Sequence, residues 1–260
     1  VDEVQRFAEL MSDPRPRLDL ALALIAAAGR SEVDADELVG ALDALSESVR
    51  AEDAQGICRA LYSADGPIGF VGDRSDYYDP DNSLLDRVLQ RRRGIPITLS
   101  IVGIEVARRH GIELDGIGMP GHFLLGDRTT GRFYDAFGGG AALQADGARA
   151  LFHELHGAEQ PFEPIYLGAT SRPAIVVRVL NNLRGAYLRR GDRAGLARAL
   201  RLQAALPGLG LAARRDLAGV LAADGRFLDA AVVHEALAAD DPDAADEHLA
   251  SAHRLRARMN

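Results

Sequence analysis

His122 and Asp135 are the two side chains best placed to do chemistry together. His122 opens the apolar run HFLL, and Asp135 sits near the end of the next β-rich piece, GRFYDAF. On adjacent strands of an antiparallel hairpin, an acid beside an imidazole fixes its tautomer and raises its basicity. That is two parts of a Cys-His-Asp machine. The third is a nucleophile at a helix N-terminus, where the helix dipole lowers a thiol pKa. The chain has one cysteine, Cys58, so it holds no internal disulfide and no cysteine-based zinc site. Cys58 reads as a small buried apolar residue. All 30 basic residues are arginine, which rules out Schiff-base chemistry on lysine.

Three other patterns invite chemistry and fail on context. Gly116, Gly118 and Gly121 spell G-x-G-x-x-G. A dinucleotide fingerprint must follow a strand and open a helix, whose N-terminus holds the pyrophosphate. Here strand-like HFLL follows Gly121, leaving no room for a helix. HELH, residues 153–156, is one residue short of the metalloprotease spacing and reads as two histidines on a helix surface. The aspartates of DRSDYYDPDNS, 73–83, lack the alternating spacing of a calcium loop and suit turns and caps. No cofactor and no bound metal are expected.

The elements that must position His122 and Asp135 follow from periodicity. Residues 1–62 carry about three helices with apolar residues at helical spacing, such as Val4, Phe7, Leu10 and Met11. GICRALYSADGPIGFVG adds a short helix or strand. Asn82 or Ser83 is expected to cap LLDRVLQRRR, and Gly94 to end it. Arg91, Arg92 and Arg93 then form an exposed last turn, where positive charge suits the dipole. Pro96 opens PITLSIVGIEVARRHG, a central helix that Gly111 stops. After Gly111, IELDGIGM, HFLLGD and GRFYDAF predict a small antiparallel sheet. ALQADGARALFHELHG returns to helix.

From about residue 172 the pattern repeats every 34 residues: Leu183 with Leu217, Gly185 with Gly219, Gly191 with Gly225. Tyr187 and Phe227 add aromatics, Pro242 closes the second unit, and ADEHLASAHRLRARMN predicts a cap helix. This is the tetratricopeptide signature. Two repeats and a cap are too few to stand alone, so they are expected to lean on the first domain.

The 260 residues suffice for one large domain or two small ones, and 47% hydrophobic residues can build a core. A net charge of −8 argues against a nucleic-acid binder. No apolar run reaches the ~18 residues a membrane span needs. No leader segment is read, although residues can precede Val1, and the expected location is cytoplasmic.

RRRGIPITLSIVGIEVARRHGI, GMPGHFLL and FYDAFGGG, with NS-LLDRVLQ upstream, resemble the SirB-type transglutaminase-like domain of bacterial proteins. A tetratricopeptide tail commonly follows that domain. The likeness runs from about residue 1 through the repeats, and 77–140 is its specific part. It implies an α+β chain: a helical part over 1–72, a papain-like core over 73–170 with a small antiparallel sheet, and all-α tetratricopeptide hairpins over 171–260. It also implies a catalytic constellation of Cys, His and Asp. His122 and Asp135 match the base and its orienter, whereas the Cys position falls on Pro96. Tyr77, Tyr78, Phe123 and Phe137 are expected to line the groove.

Three functions compete. The first is a non-catalytic protein-interaction or regulatory module, meeting a protein or peptide partner through 171–260. The second is a hydrolase or acyl transferase with a displaced nucleophile, Cys58, Thr98 or Ser100, within hydrogen-bond reach of His122. The third is a metal-binding protein using His122, Asp135 and a further histidine.

Overall fold

The computed structural model describes residues 2–206, 208 and 210–258. Two compact units divide the chain, one over 14–179 and the other over 1–13 with 180–260. The division differs from the 1–170 and 171–260 read from the sequence. The first helix, α1 (Glu3–Met11), buries Phe7 and Met11 and packs with one helix of the C-terminal segment, that of residues 193–204.

The larger unit begins with α2 (Leu18–Ala27), α3 (Ala35–Ser48) and α4 (Ala54–Tyr62). A two-residue strand β1 (Val71–Gly72) precedes α5 (Leu85–Arg91), and β2 (Arg93–Gly94) pairs with β1 in parallel. Next comes α6 (Pro96–Arg109), in which every residue from Pro96 to Ala107 is buried. Four antiparallel strands follow in sequence order: β3 (Asp115–Ile117), β4 (Leu124–Asp127), β5 (Arg132–Asp135) and β6 (Ala141–Leu143). The unit closes with α7 (Ala145–His156) and the start of α8 (Arg172–Arg190). Helix and a small antiparallel sheet together make an α+β fold.

Because α6 is covered on all sides, both its ends are tied by polar groups. Proline at its first position lacks an N–H that had no intrahelical partner. At its C-terminus Arg108 and Arg109 suit the dipole and reach the fully buried Asp19 at 3.2 and 2.8 Å. Burial pushes the Asp19 carboxyl up, but hydrogen bonds from Arg17 and Arg109 outweigh it and hold the group at about 2. Midway, Gly103 admits the Tyr62 hydroxyl, which donates to the Leu99 carbonyl at 2.7 Å.

Several local expectations are corrected. Leu84, without a side-chain bond, is the N-cap of α5. Asn82 is fully buried and its amide donates to the Asp76 carbonyl, so it turns inward and caps nothing. Gly94 does not end α5; Arg92 does, in the left-handed region at φ 51°. Gly94 is taken up by β2 instead. Arg91 is not an exposed turn residue, since it pairs with Asp79 at 2.7 Å and Asp81 at 3.2 Å. Ala142 and Leu143, read as the start of a helix, join Ala141 in an edge strand on β5, and α7 starts later.

The second unit contains the rest of α8, then α9 (Arg193–Ala204), α10 (Gly210–Ala223), α11 (Phe227–Asp240) and α12 (Ala245–Ala257). Gly191 and Gly225 hold the turns before α9 and α11 in the same left-handed conformation, at φ 66° and 76°. Pro207 of the first expected repeat, and Met259 and Asn260 of the expected cap helix, lie outside the described residues.

Candidate functional site

The turn that delivers His122 is built by its own sequence. His122 N–H donates to the Met119 carbonyl at 3.1 Å across Pro120 and Gly121, and Gly121 has φ 70°. Proline followed by a positive-φ glycine is the requirement of a type II turn. Two braces hold it. The His156 ring bonds the Pro120 carbonyl at 3.0 Å, which gives the second histidine of HELH a structural task. Arg178 of α8 donates to the Met119 and His122 carbonyls at 3.0 and 2.7 Å, with its guanidinium over the Phe123 ring. Burial lowers the pKa of Arg178. Neither brace was read from the sequence, because a side chain 36 or 56 residues away carries no local signal.

His122 leads into β4, and Asp135 ends its partner β5. His122 Nε2 lies 2.9 Å from Asp135 Oδ1, and both residues are buried, 6% and 7% exposed. A carboxylate only accepts, so Nε2 carries the proton and the neutral ring keeps its lone pair on Nδ1. Asp135 Oδ1 also accepts from the Phe137 N–H at 3.0 Å, which fixes the carboxylate. The three glycines that follow wrap around it. A Cβ on Gly138 would lie 2.5 Å from Asp135 Oδ2, and Gly140 N–H donates to the Asp135 carbonyl at 2.7 Å.

Beside the imidazole lies an aromatic cluster. Phe137 meets His122 edge-on at 6.0 Å, Tyr77 meets Phe137 at 6.1 Å, and Tyr78 meets Tyr77 at 5.3 Å. Arg74 covers the Phe137 ring at 4.9 Å. Tyr77 and Tyr78 are 39% and 49% exposed. Gly72 makes room for the Phe137 ring, which a Cβ there would meet at 2.4 Å. Phe123 does not belong to this surface: it is fully buried, because it faces away beneath Arg178 and against Gly116.

The three candidate nucleophiles are engaged elsewhere. Thr98 donates to the Asn82 carbonyl at 2.6 Å and lies 3.1 Å from that of Ile95. Ser100 Oγ points to the Phe123 carbonyl at 3.5 Å. Cys58 is fully buried, and burial, with Asp127 and Asp53 adding, pushes its thiol up to about 12. Among the described residues no hydrogen bond joins any of the three to His122. Nor do three His, Cys, Asp or Glu side chains gather as metal ligands among them. No described helix is long and apolar enough to cross a membrane.

Comparison with known proteins matches residues 26–181 to the transglutaminase-like superfamily. A UPF0162 protein of Xylella fastidiosa is 40% identical over 134 residues, 49% of this chain and 48% of that protein. A UPF0162 protein of Pseudomonas aeruginosa is 35% identical over 159 residues, 60% of this chain and 57% of that protein. Human F-box only protein 21 is 43% identical over 58 residues, 22% of this chain and 9% of its own. The chain spans about half the length of the UPF0162 proteins it matches. No solved structure matches.

Proposed function

We propose, from the premise that the chain belongs to the transglutaminase-like superfamily, that it is a non-catalytic member that binds an extended peptide beside His122. The observation that carries this reading is the first turn of α6. Its opening residue is Pro96, and the Thr98 and Ser100 hydroxyls face backbone carbonyls. A base and its orienter without a nucleophile can hold a ligand by hydrogen bond and ring contact, but cannot form an acyl intermediate. Tyr77, Tyr78 and Phe137 supply amphipathic rings of the kind that dominate binding energy at interfaces.

The helices from Leu180 onward are read as two tetratricopeptide-like repeats and a cap helix, a second surface for a protein partner in the cytoplasm. What supports this is the spacing of 34, with Leu183 and Leu217 both buried and Gly191 and Gly225 both left-handed. Truncation to test that surface belongs after residue 179 and not at 171. Arg178 holds the His122 turn, and its loss would confuse the two surfaces.

The test is to select binders from a peptide library and titrate one of them by fluorescence anisotropy. Wild type binds and returns the peptide chemically intact. A Tyr77→Ala, Tyr78→Ala double variant loses at least tenfold in affinity, and His122→Ala loses less. Cleavage or modification of the peptide by wild type overturns the reading.

A further inference from the structure

We propose that His234 of α11 and His248 of α12 form a two-histidine site for a divalent transition ion of the zinc, nickel or copper class, clamping the two helices together. The helices are consecutive and extensively packed, and their histidines meet with Nδ1 atoms 3.2 Å apart. Two nitrogens bound to one tetrahedral ion at about 2.0–2.1 Å lie about 3.3 Å apart. The pair therefore already holds the separation that one shared ion requires. Imidazole is the nitrogen ligand this class of metals favours.

The surroundings of His248 supply the second observation. Its ring is 7% exposed, and Nε2 has no hydrogen-bond partner. That nitrogen lies 3.8 Å from Asp241 Oδ2. The Nδ1–Nδ1 contact takes one proton between the two rings, so at least one Nδ1 lone pair lies in it. A buried imidazole with an unpartnered nitrogen is a polar group that the protein by itself leaves unsatisfied.

The other charged groups nearby are partnered within the protein. Arg215 pairs with Asp241 and Glu235 is held by Arg256, while the Arg254 cation donates to the neutral Ser251. No third protein ligand joins the pair among the described residues, so water completes the coordination. Open positions remain on the ion.

The experiment uses the full chain without a histidine tag. Zinc and nickel are each titrated by calorimetry, and thermal unfolding is followed with and without the ion. Wild type binds one ion per chain and unfolds at a higher temperature with it. His234→Ala and His248→Gln each abolish both effects. His122→Ala leaves binding unchanged. Circular dichroism confirms each variant is folded; should His248→Gln fail, the less buried His234→Ala decides alone. Absence of binding in wild type, or binding that survives His234→Ala, overturns the proposal. In that event the pair is a plain imidazole–imidazole hydrogen bond.

Discussion

The hairpin side of the candidate site and the helix side are both rich in polar atoms, yet they spend them differently. On the hairpin, His122 and Asp135 bond each other and leave one ring nitrogen uncommitted by that bond. On the helix, Thr98 and Ser100 turn their hydroxyls to backbone carbonyls, and Pro96 has nothing to offer. The first arrangement orients a group toward a third party; the second ties a helix start to its neighbours. A side chain's partner, more than its place in a motif, sets the chemistry open to it.

The comparison can be broken or sharpened by substitution. The largest effect is expected far from the site, at the C-terminal end of α6. Asp19→Ala leaves three arginines without their buried partner and should cost ~3–5 kcal/mol in urea unfolding. The same group predicts acid sensitivity. Its carboxyl lies at about 2 in the folded chain against an ordinary 3.8. The depressed value adds stability above the ordinary one, and that stability is lost as pH falls from about 4 towards 2. Asp19→Ala should flatten that part of the stability profile.

Asp135→Ala should cost less, ~1–3 kcal/mol, for the unpaired His122 ring and Phe137 N–H. A cost comparable to that of Asp19→Ala would mean that the hairpin pair holds the fold more than it shapes a site. Thr98→Val should cost about 1 kcal/mol, the worth of one hydrogen bond, and leave peptide binding unchanged. Lost binding there would move the helix side into the site. The subtlest change is Pro96→Cys. A thiol at that helix start should alkylate faster than a free cysteine, and His122→Ala should remove the part of the advantage that the helix dipole does not supply. An ordinary rate would show that the hairpin pair does not face the start of α6.

Much of this was legible in the sequence because it is local. Pro96 opening α6 and the pairing of His122 with Asp135 across a hairpin both follow from residues close together in the chain. The β6 strand was hidden because AAL is short, exposed along its edge and continuous with a helical pattern. The end of α5 was misplaced because an arginine, not the nearby glycine, takes the left-handed position. Arg178, His156 and the inward-turned Asn82 were illegible for a different reason. Each acts through a carbonyl that belongs to a distant or irregular segment, and no periodicity reports that. Phe123 leaves the site because it is fully buried beneath Arg178 and against Gly116.

The central claim is that the base and its orienter stand without a nucleophile. The direct measurement is intact mass after the native wild-type chain is treated at neutral pH with a peptide vinyl sulfone and, separately, a fluorophosphonate. The account predicts an unmodified mass with both reagents, and alkylation of Cys58 only after denaturant exposes it. A single adduct on native protein at Cys58, Thr98 or Ser100, abolished by His122→Ala, would contradict it.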